Sequence, residues 1–271
     1  MRKLVAFIAA IVTLVALANA PVGAVTDGSL DGEGHPYVGM MVAQGAKGGR
    51  LWRCSGTLIS ERIFLTAGHC TEAPAKRVEI WFGSDLRGLP LSTFDGPGDV
   101  GGTPLVHPQY DPNAFWLHDL GVVVLDKAYP MAQYGQLPGL DSLDRLKPSA
   151  STTFTAVGYG MQKAYPEAAE WKDQADKVRM LATPHLVQIN TGFTGDGSLV
   201  LSNNANTGGT CFGDSGGPNF VGSSRVIAGV TSFGLNGTCG GTGGVYRVDR
   251  ADDLDWLAEV AASAGSRRGR R

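Results

Sequence analysis

The stretch that most constrains this chain is Thr210-Cys211-Phe212-Gly213-Asp214-Ser215-Gly216-Gly217-Pro218. Its glycines allow backbone turns that residues with a Cβ resist. Such a turn can direct two backbone N–H groups at one point, which suits an anion. A serine hydroxyl at that point is a candidate nucleophile, and the N–H groups are candidate ligands for an oxyanion. A glycine-rich surface turn with an ordinary serine is the alternative, so the rest of the chain must supply a base and an orienting acid.

Composition favours an all-β protein. The chain has 271 residues, 39 of them glycine, and only 18% of its residues are charged. Many short strand patterns separated by turn residues are typical of all-β folds, although composition does not distinguish a sandwich from a barrel. One helix is predicted at about 251–262, where Leu254, Leu257, Ala258 and Ala261 recur at helical spacing. The net charge of −2 gives no electrostatic reason to expect a nucleic-acid or membrane partner.

Residues 1–24 have the pattern of an export signal. Arg2 and Lys3 precede an apolar run that is too short for a transmembrane helix, and small residues follow it. Cleavage after Ala20 would leave Pro21 first, which should suit the peptidase poorly. We therefore favour cleavage after Ala24, which leaves Val25 as the new N-terminus and predicts a secreted protein. The basic tail at 266–271 is expected to be solvated.

Four cysteines remain in this exported chain, namely Cys54, Cys70, Cys211 and Cys239. An even number in an oxidising compartment predicts two disulfides, for which three pairings exist. Metal binding is the alternative, but the chain has no Cys-x-x-Cys pair and no histidine cluster at ligand spacing. No metal and no cofactor are expected.

A serine nucleophile needs a neutral base and a carboxylate that holds the tautomer of that base. Five histidines compete for the first role: His35, His69, His107, His118 and His185. His69 has the best setting, because small residues precede it and Cys70 can hold its loop; the alternative is a packed structural histidine. Asp119 opens an apolar strand, so its carboxylate is expected to be buried and to need a partner such as a histidine N–H. Its alternative role is a strand-end cap.

Three segments together resemble the signatures of trypsin- and chymotrypsin-like serine proteases, in the order of that family. They are Thr66-Ala67-Gly68-His69-Cys70, Asp119-Leu120-Gly121-Val122 and Gly213-Asp214-Ser215-Gly216-Gly217-Pro218. The resemblance implies that Ser215 is the nucleophile, His69 the base and Asp119 the acid that orients it, with the N–H groups of Gly213 and Ser215 as the oxyanion hole.

The resemblance also implies two six-stranded antiparallel β-barrels, at about 25–140 and 150–250, with the site between them and the helix at the end. It implies the disulfides Cys54–Cys70 and Cys211–Cys239. Protein or peptide substrates and protein protease inhibitors are the expected partners of a monomeric enzyme, with no nucleic acid and no membrane.

The same resemblance implies a primary specificity pocket with Gly209 at its base and Thr210 beside it, and with Ser232, Phe233, Gly234 and Gly244 as its walls. Trypsin-like members carry an aspartate at the base, so this chain departs from a Lys/Arg pocket. Glycine at positions 234 and 244 predicts an open, uncharged pocket that prefers medium-to-large apolar side chains. The family resemblance further implies that a new N-terminus at Val25 inserts into the protein and pairs with Asp214.

The alternative function is a binding protein on the same fold that does not cleave its partner. Such proteins usually lose a residue of the triad, whereas this chain retains all three. The sequence therefore favours an active endopeptidase.

Overall fold

The computed structural model describes residues 25–192 and 194–266. The predicted export signal at 1–24 and the tail residues 267–271 lie outside the described residues. Within them, no helix has the length and the apolar character that a membrane span requires.

Six strands close the first barrel in the order β2-β3-β4-β7-β6-β5. Its inward-facing residues are the valines, leucines, isoleucines and aromatic residues that the strand patterns predict, and they form one core with the residues packed against it. The strands of this half of the chain, with the edge strand β1, are Ser29–Leu30 (β1), Val38–Gln44 (β2), Arg50–Leu58 (β3), Ile63–Thr66 (β4), Arg77–Trp81 (β5), Val100–Val106 (β6) and Gly121–Leu125 (β7).

The second barrel closes because β8 pairs with both β10 and β12 in the ring β8-β10-β11-β14-β13-β12. Strands β9 and β1 extend its sheet beyond β8. All of these pairings are antiparallel. The strands are Ser149–Gly158 (β8), Met180–Ala182 (β9), His185–Ile189 (β10), Ser198–Asn203 (β11), Pro218–Val221 (β12), Ile227–Gly234 (β13) and Gly241–Arg247 (β14).

The C-terminal helix α1, Ala251–Ser266, packs back on the first barrel. Its buried apolar residues are Leu257, Val260 and Ala264, whose spacing places them on one face. Of the residues whose spacing predicted this helix, Ala258 and Ala261 are exposed. The predictions of an all-β fold, two six-stranded barrels and a C-terminal helix are confirmed.

Candidate active site

His69 lies in a 3-10 turn, Gly68–Cys70, that directly follows strand β4. Gly68 is required there, because a Cβ at this position would lie 2.9 Å from the Tyr110 ring and 3.1 Å from the Leu120 nitrogen. The disulfide Cys54–Cys70 attaches the end of this turn to strand β3. The second disulfide of the structure joins Cys211 to Cys239, so both pairs are those that the family resemblance implies.

Asp119 is fully buried and holds His69 through two different groups. Its carboxylate accepts a hydrogen bond from the backbone N–H of His69 at 2.9 Å, and the Nδ1 of the imidazole lies 2.9 Å from Oδ2. The hydroxyl of Ser232 donates to Oδ2 as well, at 2.6 Å. Burial disfavours the charged imidazole, but the carboxylate outweighs this effect, so the pKa of His69 is raised above its ordinary value.

The backbone around Ser215 fits tightly against the first barrel. A Cβ at Gly216 would lie 1.9 Å from the Thr66 hydroxyl and 2.7 Å from the Ala67 nitrogen, and Gly216 also has a φ of +76°. The N–H of Ser55 on strand β3 donates to the Ser215 carbonyl at 2.8 Å, and its hydroxyl donates to the Gly213 carbonyl at 2.9 Å. These contacts bring the serine turn next to the segment that leads into His69.

Within residues 213–217, two backbone N–H groups are left for an outside acceptor. The N–H groups of Asp214, Gly216 and Gly217 all donate to backbone carbonyls. In the part of the chain that the structure describes, those of Gly213 and Ser215 have no acceptor. Gly213 adopts a φ of +93°, which glycine tolerates and other residues resist. The pair is therefore available to bind a developing oxyanion.

Ser215 lines a cavity whose lining does not include His69, and no hydrogen bond joins these two side chains among the described residues. Ser215 lines this cavity together with Ser232 and Phe115. Ser232 binds Asp119, and the Phe115 ring stands edge-on to the His69 ring with 6.1 Å between centroids. Catalytic hydrogen bonds are often long or poorly aligned in a free enzyme and shorten when substrate binds.

This cavity, which we call the specificity cavity after the pocket that the resemblance implies, has a volume of about 340 Å³ and no charged residue in its lining. Four of the predicted pocket residues line it, namely Thr210, Ser232, Phe233 and Gly234. The residues that the sequence interpretation missed are Phe115, Cys211, Phe212, Leu235, Asn236, Cys239 and Thr242. They lie in loops and at strand ends, where no periodic pattern marks a position as facing a cavity.

Two predicted pocket residues, Gly209 and Gly244, are not part of this lining, and each is covered by another side chain. A Cβ at Gly209 would lie 2.1 Å from the Asn203 side chain, and one at Gly244 would lie 2.3 Å from the Phe233 ring. The buried Asn203 also accepts from the Thr26 hydroxyl and donates to the Thr210 carbonyl. It therefore connects the N-terminal segment to the cavity wall.

Asp214 and Val25 are both fully buried, but they occupy different environments. Asp214 accepts from the N–H groups of Gly160 and Cys211, while Val25 packs with Val178, Met180 and Ala182. Burial raises the pKa of Asp214 to about 7, against the effect of the two N–H donors and the Arg53 charge. No ion pair to Asp214 exists among the described residues, so the predicted pairing with Val25 is not present in the uncleaved chain.

Two groups of side chains have metal-like spacing among the described residues. One is Cys54, His69 and Cys70, whose sulfurs are bonded to each other. The other is His107, His118 and Asp253, in which Nδ1 of His107 accepts from the Gln109 N–H and both Asp253 oxygens accept from the Tyr246 hydroxyl. Protein donors therefore already use the Nδ1 of His107 and both oxygens of Asp253.

Comparisons with known proteins identify the family of this chain and agree with its fold. The family model Trypsin matches residues 30–256. Serine protease 1 of Drosophila melanogaster is 29% identical over 245 residues, which cover 88% of this chain and 85% of that protein. CLIP domain-containing serine protease B10 of Anopheles gambiae is 28% identical, and the match covers 83% of this chain and 66% of that protein. The solved structure of HL collagenase matches with a TM-score of 0.66 over 87% of this chain and 96% of that one; at 20% identity it shows the fold alone.

Proposed function

Because the chain belongs to the trypsin family of serine proteases, we propose that it is a secreted serine endopeptidase whose triad is Ser215, His69 and Asp119. The observation that carries the proposal is the His69–Asp119 pair, in which the base is held by both its ring and its backbone N–H. His35 is attached to the buried Asp31 in the same two ways, so the double attachment alone does not mark a base. His69 differs because the segment that leads into it packs against the turn that carries Ser215.

In the proposed reaction, the Ser215 oxygen attacks the scissile carbonyl and His69 takes the hydroxyl proton. The N–H groups of Gly213 and Ser215 bind the resulting oxyanion. The C–N bond then breaks, and His69 delivers its proton to the leaving amine. A water molecule then attacks the acyl-enzyme, and His69 takes a proton from it. The ester bond to Ser215 breaks, His69 returns the proton to the serine oxygen, and the carboxylic acid product is released. Asp119 stabilises the imidazolium and fixes the tautomer throughout.

A serine-reactive fluorophosphonate probe tests this function directly. We expect labelling of the wild-type protein, none in Ser215→Ala, and strongly reduced labelling in His69→Ala, because the hydroxyl needs the base. Ser224→Ala is the control, since Ser224 lies in an exposed turn. A folded wild-type protein that resists the probe would instead support the non-cleaving binding protein.

The uncharged lining of the specificity cavity supports a preference for medium-to-large apolar residues before the scissile bond. Peptides that differ only in carrying Phe, Leu, Ala, Arg or Glu at that position test it. We expect Phe and Leu to give the highest kcat/KM, and fastest cleavage after Arg would refute the preference.

Export and activation are also proposals. Removal of residues 1–24 would free an amino group at Val25, and the buried Asp214 carboxylate is the acid that this cation would pair with. Sequencing the N-terminus of the exported protein tests the step, and a start at Pro21 would contradict it.

A further inference from the structure

A second cavity of about 370 Å³ lies beside strand β3 and shares no lining residue with the specificity cavity. We call it the cationic groove. Its charge comes from Arg50, Arg53 and Lys177, and it contains no acidic residue in its lining. Met40, Leu91 and Phe94 contribute to its apolar wall, and Leu91 is 64% exposed.

The three cations differ in how they are neutralised. Arg50 forms an ion pair with Asp95 at 2.6 Å. In the described parts of the chain, neither Arg53 nor Lys177 forms an ion pair, although the Lys177 ammonium lies 5.6 Å from the centre of the Phe94 ring. Arg53 interacts electrostatically with the buried Asp214 but forms no ion pair with it. Two positive charges beside an apolar wall, neither of them in an ion pair among the described residues, complement a ligand that carries a carboxylate.

The groove begins next to the proposed oxyanion hole. Arg53 and Ser55 are two residues apart on strand β3, so they face the same side. Ser55 bonds to the serine turn, and a Cβ at Gly213 would lie only 3.1 Å from the Arg53 Nη2. Because Gly213 belongs to the proposed oxyanion hole and lies against Arg53, a chain whose preceding residue fills the specificity cavity can continue towards Arg53 beyond the scissile bond.

We propose that the cationic groove binds an acidic residue of the substrate on the leaving-group side of the scissile bond, and that Arg53 and Lys177 determine this specificity. The inference rests on the proposed peptidase function. The carboxylate of an Asp or Glu reaches the two unpaired cations, and the apolar wall accommodates the stem of that side chain or an apolar neighbour.

The test compares internally quenched peptides that are identical except for Glu, Gln or Lys at the first two positions after the scissile bond. For the wild-type enzyme we expect kcat/KM to be roughly tenfold higher with Glu than with Gln, and lowest with Lys. High salt should reduce this preference, because the charges are partly exposed to solvent. A p-nitroanilide with the same acyl portion has no residue beyond the scissile bond and normalises each enzyme.

After normalisation, Lys177→Gln and Arg53→Gln should each lower the Glu/Gln ratio to about twofold or less. Arg87→Gln is the control, because Arg87 is an exposed arginine already paired with Asp85. Arg53 lies against Gly213, so Arg53→Gln also tests the turn that carries the proposed oxyanion hole. Lys177→Gln keeps the test valid, since the Lys177 ammonium lies beside the Phe94 ring. Equal cleavage of the Glu, Gln and Lys peptides by the wild type overturns the inference, whereas a wild type that leaves the p-nitroanilide intact overturns the proposed function itself.

Discussion

At the scale of single residues, the Ser232 hydroxyl has a role beyond lining the specificity cavity. Its 2.6 Å hydrogen bond to Asp119 is the only side-chain hydroxyl contact to that carboxylate among the described residues. Without it, Asp119 would keep only its bonds from His69, and the orientation of the pair would be less fixed.

We therefore expect Ser232→Ala to lower kcat by about tenfold, since hydrogen bonds to charged groups contribute roughly 1.5–3 kcal/mol. Steady-state kinetics with one peptide substrate measure the effect, and Ser224→Ala is the matched control. An unchanged kcat with a raised KM would indicate that Ser232 acts only as a wall of the cavity.

The His69–Asp119 pair also predicts a pH profile. Only neutral His69 can act as the base, so kcat/KM should fall as the pH falls through the pKa of His69. Because the pair raises that pKa, the midpoint should lie above 6.5, the ordinary value for histidine. Asp119→Asn removes the stabilising carboxylate and leaves burial, so the midpoint of its small residual activity should move down. A wild-type midpoint below 6.5 would contradict this assignment.

At the scale of elements, the sequence predicts those site residues whose role can be recognised from their immediate neighbours in the chain. His69, Asp119 and Ser215 stand out because each lies in a short run with a distinct chemical demand. Asn203 and Phe115 do not, because their roles depend on contacts with residues far away in the chain. The spacing that predicts helix α1 does not specify its docking face for a related reason: alanines bury little area, so their positions hardly determine which face docks.

The serine turn contains a pH-sensitive group, Asp214. Burial raises the pKa of Asp214 to about 7, whereas its ordinary value is 3.8. Between these two pH values the folded chain holds a proton that the unfolded chain has lost, so the free energy of unfolding should decrease as pH rises. In a chain that begins at Val25, an amino group paired with Asp214 would lower the pKa of Asp214. The free energy of unfolding would then no longer decrease between these pH values.

Urea unfolding at pH 5 and pH 8 measures this difference. We expect the chain that retains residues before Val25 to lose more stability at pH 8 than the chain cut after Ala24. The Asp214→Asn variant has no carboxyl group to titrate at this position. Its uncut form and its form cut after Ala24 should therefore change in stability by the same amount between pH 5 and pH 8. If the wild-type forms also respond alike, Val25 does not pair with Asp214.

At the scale of the whole molecule, Arg179 connects the two barrels. This fully buried side chain lies next to strand β9, and its Nη1 donates to the Val38 and Phe82 carbonyls of the first barrel at 3.1 and 2.9 Å. Its Nε donates to Asp31 at 2.7 Å. Burial alone would raise the pKa of Asp31, but His35 and Arg179 outweigh it and keep that pKa below its ordinary value.

Arg179→Met should therefore destabilise the protein by about 3–5 kcal/mol, because it leaves a buried carboxylate and several carbonyls without a donor. Arg179→Lys should recover part of the loss, since it restores the charge but not the planar donor fork. Denaturant unfolding measures both variants, with Arg87→Met as the exposed control.

The stabilisation from Asp31 is present at neutral pH and is lost as pH falls through its lowered pKa, so wild-type stability should drop in acid. The free energy of unfolding of Arg179→Met should decrease less in acid, because without the arginine the charged form of Asp31 stabilises the folded state less. An equal decrease in the wild type and the variant would mean that Arg179 joins the barrels through its carbonyl contacts alone.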